Sequence, residues 1–232
     1  MTKWILSYFF ITFLFPHSLL ASPHHSDCQN HQHEIFHGTS SKTLKPFVKN
    51  ESQFVSIHNF ASGRLSVKAM DIQGFDQASL KKLDESFKLL EKIVNSEEFK
   101  NRVINFRNNE NQRSFASSQG LSNEQIFDLF MEGRETLQSN TPGEMNFYLK
   151  LYYKRYSKVI GWTNGSINTI NINWKFFKNF KPHEVAGNLA HEWTHKLGFG
   201  HESAAEHDSV PYGIGYIVRE MGERLSNKQE LP

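Results

Sequence analysis

Hydrophobic positions recur along this chain at two periods, and the change from one to the other divides it. Downstream of Asp76, the residues Leu80, Leu83, Phe87, Leu90 and Val94 follow one another at three- and four-residue steps, with Lys and Glu between them. That spacing predicts a helix started by Asp76 and lying on one face of a sheet. Ser122 opens a second helical pattern, capped by its hydroxyl, with Ile126, Leu129, Phe130 and Leu137 as the apolar face. Phe99 to Phe106 suits either a strand or a short helix, and periodicity does not choose; Asn108 to Gly120 reads as a loop. Two apolar stretches within Gln53 to Lys68, broken at Ser62-Gly63, suggest strand, turn, strand. From Thr141-Pro142-Gly143 onward the pattern becomes that of strands. Met145 to Tyr153 is the first, and Lys158 to Thr163 with Ser166 to Trp174 then flank Asn164-Gly165, a pair suited to a tight hairpin turn. In the second arm Ile170, Ile172 and Trp174 face one way and Asn171 and Asn173 the other, predicting a half-buried hairpin. Lys181-Pro182 leads into a further helix, with Pro182 in its first turn.

The ends read differently. Trp4 to Phe15 is an uncharged, mostly apolar run preceded by Lys3 and followed by a stretch ending at Ala21. This is the pattern of a secretory signal peptide, residues 1–21, and predicts a secreted or periplasmic protein with no stable membrane insertion once the signal is removed. Residues 22–50 lack apolar periodicity and hold His24, His25, His31, His33, His37 and Cys28. They read as a flexible leader or pro-segment, which either captures metal through its imidazoles or is simply a solvated tail.

Composition narrows the classes. A net charge of +2, from 26 Lys and Arg against 24 Asp and Glu, leaves no electrostatic footprint for nucleic acid. A single Cys excludes an intramolecular disulfide scaffold, and 20 Phe supply enough apolar bulk for a core. The excess is in histidine, with 12 copies, which raises the question of metal.

Spacing answers it. The last predicted helix carries His191-Glu192-Trp193-Thr194-His195-Lys196-Leu197-Gly198-Phe199-Gly200-His201. On a helix His191 and His195 stand about 40° apart and one turn along, so both imidazoles reach one ion, while Glu192 lies beside them. Ala186, Leu189, Ala190, Trp193 and Leu197 form the opposite, core-facing stripe. Gly198 suits the conformation that ends a helix and Gly200 loosens the bend, so His201 can return as a third ligand. Three protein ligands leave tetrahedral zinc one open position, the arrangement of a catalytic rather than a structural site. At this chain's composition the five fixed residues match by chance roughly once in ten thousand. The implied chemistry is peptide-bond hydrolysis by a zinc-activated water, with Glu192 as general base.

In these five residues, His191, Glu192, His195, Gly198 and His201, the chain resembles the metzincin clan of zinc metallopeptidases. The resemblance implies an α+β, zincin-like domain over residues 51–232. Its parts would be a twisted mixed sheet with an antiparallel edge strand packed on the active-site helix and a small C-terminal subdomain. It also implies that Lys158 to Trp162 is the edge strand along which a peptide or protein substrate binds, with Ser166 to Ile172 as its partner. The chain departs from the clan at the turn beneath the metal, where Pro211 stands in place of Met. Met221 falls further on, in an expected closing helix from Ile217 to Leu225. Tyr212 matches the Tyr of that turn, as a group that contacts substrate or carries oxyanion charge, or as a core or lid tyrosine.

Further candidates are weaker. Glu184 lies two turns back on the metal face, His183 is expected to be exposed in the first turn, and His58 has no assignment. His207 and Asp208 could orient an imidazole or, should His201 not close the site, supply an alternative ligand. Cys28 could occupy the open metal position in a latent form. Two rival functions stand beside the peptidase: a non-catalytic zinc-stabilised module, and an exported metal-binding protein working through its His-rich leader.

Overall fold

A computed structural model describes residues 65–133, 135, 141–163, 166–201 and 206–229. The expected signal peptide, the leader with its five histidines and Cys28, His58, the turn at Ser62-Gly63, Leu137 and the Asn164-Gly165 turn lie outside the described residues.

Among these residues the chain forms a four-stranded open mixed sheet and six helices. In order they are β1 (Ser66–Gln73), α1 (Gln77–Val94), α2 (Glu97–Ile104), α3 (Asn123–Glu132), β2 (Glu144–Tyr152), β3 (Gly161–Trp162), β4 (Thr169–Asn173), α4 (Trp174–Phe177), α5 (Pro182–Lys196) and α6 (Val210–Gln229). The sheet order is β1-β2-β4-β3. β1, β2 and β4 run parallel, and β3 pairs antiparallel with β4 at the edge, Gly161 opposite Ile172 and Trp162 opposite Asn171. The mixed sheet and its antiparallel edge strand therefore stand as expected, with the edge strand shorter than the predicted Lys158 to Trp162.

Local signals explain most helix starts. The Asp76 carboxylate accepts the Ser79 N–H at 2.8 Å, and Leu83, Phe87, Leu90 and Val94 are buried. Ser122 and Gln125 form a reciprocal capping box at α3, which ends at Gly133 in the left-handed conformation. The ambiguous Phe99 to Phe106 stretch is helical, since the Ser96 hydroxyl caps the Phe99 N–H at 3.1 Å and Phe99 and Val103, one turn apart, are both fully buried.

The core lies between the sheet and the helices. Phe147 of β2 stacks on Phe87 of α1 at 5.3 Å and tilts against Trp193 of α5 at 5.7 Å, so both helices cover one sheet face. The hairpin arm departs from expectation. Asn171 and Asn173 are buried along with Ile170 and Ile172, and Trp174 has left the strand to begin α4. Asn173 is a clamp: its Oδ1 accepts the Lys154 N–H at 3.3 Å and its amide donates to the carbonyls of Lys154 and Val159.

Residues 210–229 form one helix rather than a separate subdomain. Val210, Ile214, Ile217, Val218 and Met221 join the same core as the sheet. α6 crosses α5 at glycines: a Cβ on Gly187 would stand 2.8 Å from the Gly215 carbonyl oxygen, and one on Gly215 would stand 3.1 Å from His191 Cβ. This close crossing carries the first turn of α6 over the imidazoles.

Candidate metal centre

α5 and the turn after it bring His191, His195 and His201 together. Each offers a ring nitrogen, and these atoms all lie within 4.8 Å of one another. Their ring centroids are 4.9, 5.4 and 5.0 Å apart. The turn is built as the glycine spacing requires. Gly198 takes φ +98°, its N–H donates to the His195 carbonyl at 3.0 Å, and the Phe199 N–H donates to the Thr194 carbonyl at 3.1 Å. Gln119, from the long loop, donates to the Gly198 carbonyl at 2.7 Å, and Phe199 is buried.

The ring tautomers follow from the backbone. His195 Nδ1 lies 2.8 Å from the Phe199 carbonyl oxygen, and a carbonyl accepts only from N–H, so His195 Nε2 presents its lone pair. The Pro211 backbone, whose sole hydrogen-bonding group is its carbonyl, also meets the His191 ring. The two Nε2 atoms then stand 3.2 Å apart. At that separation one ring's N–H can donate to the other's lone pair, or both lone pairs can face a single cation. Packing around the His191 ring, and after it the neighbouring imidazoles of His195 and His201, holds its pKa well below the usual imidazole value. That state suits a metal ligand, which must be neutral. The three histidines can therefore hold a metal ion.

Glu192 is 2 % exposed, and burial pushes its carboxyl up to about 8, against hydrogen bonds from the Asn188 side chain and the Thr163 backbone N–H. It thus faces the edge strand: a Cβ on Gly161 would lie 3.0 Å from Glu192 Oε1 and 3.1 Å from Asn188 Oδ1. Its other oxygen, Oε2, is buried without a hydrogen-bond partner among the described residues. Tyr212, in the first turn of α6, meets the His191 ring edge-on at 4.6 Å between centroids and the His201 ring at a 44° tilt and 4.8 Å. Pro211, at the place of the expected methionine, belongs to the same helical turn, and Met221 is a core residue.

The weaker candidates resolve into structural roles. His207 does not join the ligand cluster; its Nδ1 lies 3.1 Å from the Tyr216 hydroxyl. The Asp208 carboxylate accepts the Asn109 N–H at 2.9 Å and so ties down the long loop instead of orienting an imidazole. Glu184 accepts the Lys181 N–H at 3.0 Å, closing the first turn of α5. His183, expected at the surface, is buried because α6 passes over it at Gly222, where a Cβ would meet His183 Cβ at 2.8 Å.

Sequence reasoning missed Asn188, Thr163 and Gly161. Asn188 was discoverable, being one helical turn before Glu192 on the same face. A cleft of about 800 Å³ between α2 and α6 reaches Gly213 and Tyr216, beside Tyr212, but includes none of the imidazoles. Compared with protein-family models, with curated proteins and with solved structures, the chain matches none.

Proposed function

We propose that this protein is an exported zinc-dependent endopeptidase. The observation that carries the reading is the 3.2 Å approach of His191 Nε2 and His195 Nε2, with the His195 ring turned by a backbone carbonyl and His201 beside them. Two nitrogens bound to one tetrahedral zinc at ~2.0–2.1 Å stand about 3.3 Å apart, so the spacing of this pair and the all-imidazole donor set suit that ion. Zinc bound by His191, His195 and His201 supplies a Lewis acid that lowers the pKa of water and polarises a peptide carbonyl. Glu192 supplies the proton traffic: Oε2 takes the proton from the attacking water and hands it to the leaving amine. Tyr212, packed against two of the imidazoles, offers its hydroxyl to the oxygen on which negative charge develops.

The edge strand supplies the substrate track. The Asn173 N–H donates to the Ile160 carbonyl at 2.8 Å, so by strand alternation the N–H and C=O of Gly161 face away from β4, toward the open edge. An extended peptide pairing there passes beside Glu192. Export rests on the run from Trp4 to Phe15; no helix among the described residues is long and apolar enough to cross a membrane.

One observation favours the rival, non-catalytic module: Glu192 is buried against the edge strand. A single experiment separates them. Wild type and Glu192→Ala, each with zinc measured by mass spectrometry, are incubated with a mixed peptide library. Hydrolysis predicts one zinc per chain in both and cleavage by wild type alone, lowered at least ~1,000-fold in the variant. Stoichiometric zinc without cleavage leaves the module, and several weak ions lost on deleting residues 22–37 leave the leader.

A further inference from the structure

The charge of this chain is unevenly placed. Between Glu144 and Glu184 it carries no Asp or Glu, but seven Lys or Arg. Lys150, Lys154, Arg155 and Lys158 are exposed and cluster at the end of β2 and in the segment leading into the edge strand; Lys178 and Lys181 are exposed nearby in sequence. Tyr153, Tyr156 and Ile160 in that same segment are three of the few large apolar side chains left at the surface, and Arg155 lies over the Tyr156 ring at 5.4 Å.

The segment is held in place. Asn173 clamps Lys154 and Val159 from within, and Lys175 Nζ donates to the Ser157 carbonyl at 2.7 Å. Lys158 precedes Gly161 by three residues, at most ~10 Å of extended chain, or about three residues of a strand paired along the same edge. Acids at the margins are already engaged: the Asp71 carboxylate accepts from the Gln73 amide at 2.6 Å, and Glu184 closes the first turn of α5.

We infer that the open edge of β3 takes an acidic polypeptide, whose Asp or Glu side chains a few residues from Gly161 meet Lys154, Arg155 and Lys158. The inference rests on the peptidase reading and names its substrate class. A peptide backbone is the occupant favoured over a nucleic acid or an anionic lipid surface, because the charges flank the Gly161 N–H and C=O, which face away from β4 and which another backbone satisfies in register. The exposed tyrosines add flat apolar surface for the stems of Glu side chains.

The test uses two end-blocked fluorescent peptides of equal length, one alternating Glu with Ala and the other Gln with Ala. Binding to the full chain carrying Glu192→Gln is read by anisotropy, and cleavage by zinc-loaded wild type is read separately. Three exposed ion pairs predict roughly tenfold tighter binding of the Glu peptide, weakening as salt rises. Lys154→Glu with Lys158→Glu abolishes that ratio. Lys88→Glu with Lys92→Glu, the same charge change on α1, keeps it. Equal binding of the two peptides, or a ratio that survives the Lys154/Lys158 reversal, overturns the proposal. So does binding of a dT oligonucleotide or phosphatidylserine vesicles in place of the Glu peptide. A Glu peptide bound with the expected ratio but left uncut by wild type supports the acidic-peptide edge and refutes hydrolysis.

Discussion

Replacing Glu135 by Gln removes the charge that it sets against a buried ammonium group at the end of α5. Lys196 is the last residue of α5, its side chain is 2 % exposed, and its Nζ lies 2.7 Å from Glu135 Oε2, whose side chain is fully buried. The same ammonium donates to the Asn168 carbonyl at 2.7 Å and lies 5.9 Å from the Tyr148 ring centroid. A neutral carbonyl and a ring face do not neutralise it, so the variant should lose about 3–5 kcal/mol, the usual result of removing one member of a buried pair. For a domain of this size that lowers Tm by roughly 10 °C. Lys196→Met acts differently, because the group left behind can become neutral. Burial already raises the Glu135 carboxyl above its ordinary value, against the opposing effect of Lys196, and losing Lys196 raises it further. The folded chain then holds a proton that the unfolded chain has released, so stability falls as pH rises from the unfolded carboxyl value toward the folded one. The Lys196→Met penalty should therefore grow as pH rises from the ordinary carboxyl value of 4.5 upward. The double variant should return to within about 1–2 kcal/mol of wild type. Thermal melts of the four metal-free proteins across that pH range make the measurement. Single-variant shifts under ~2 °C, or penalties that simply add in the double variant, would refute the coupled buried pair.

Two glycines give sharper local tests. Gly161→Ala puts a methyl 3.0 Å from Glu192 Oε1 and 3.3 Å from the Asn171 carbonyl oxygen, so the edge strand must shift. Peptide cleavage should fall at least ~10-fold in kcat/KM with Tm changed by only a few degrees, and full activity would contradict an edge strand that positions substrate. Gly187→Ala sets a methyl 2.8 Å from both the Gly215 carbonyl oxygen and Arg219 Cβ, forcing α6 off α5. It should cost about 1–3 kcal/mol and weaken metal binding, since the Pro211 carbonyl that turns His191 moves with α6; calorimetry and zinc titration check both.

What the sequence revealed and what it hid follow one physical division. The ligand spacing, the caps at Asp76 and Ser122 and the break at Gly198 are decided within one helix and its adjoining turn, so residue order alone carries them. The Phe99 helix belonged to this class too: Ser96 with Glu97 and Glu98 in the first turn is a helix start, and weighing it would have settled the choice. Asn171 and Asn173 were misjudged because alternation shows which residues share a face but not what covers it. His183 is buried by a helix some forty residues on, and Lys196 meets Glu135 from a distant part of the chain.

The partners of the imidazoles were hidden for a different reason. A search for polar side chains near the third histidine finds His207 and Asp208, yet the groups that turn His195 and His191 are the carbonyls of Phe199 and Pro211. Every residue carries such an oxygen, so no residue type announces it. What matters is where the backbone runs, and that is set by the positive φ of Gly198 and by the Gly187–Gly215 crossing that lays α6 on α5. Ligand orientation in this site should accordingly tolerate side-chain change at Phe199 or Pro211 better than the loss of either glycine. The glycines hold the carbonyls in place, and that of Phe199 selects the His195 tautomer whose Nε2 lone pair points at His191 Nε2.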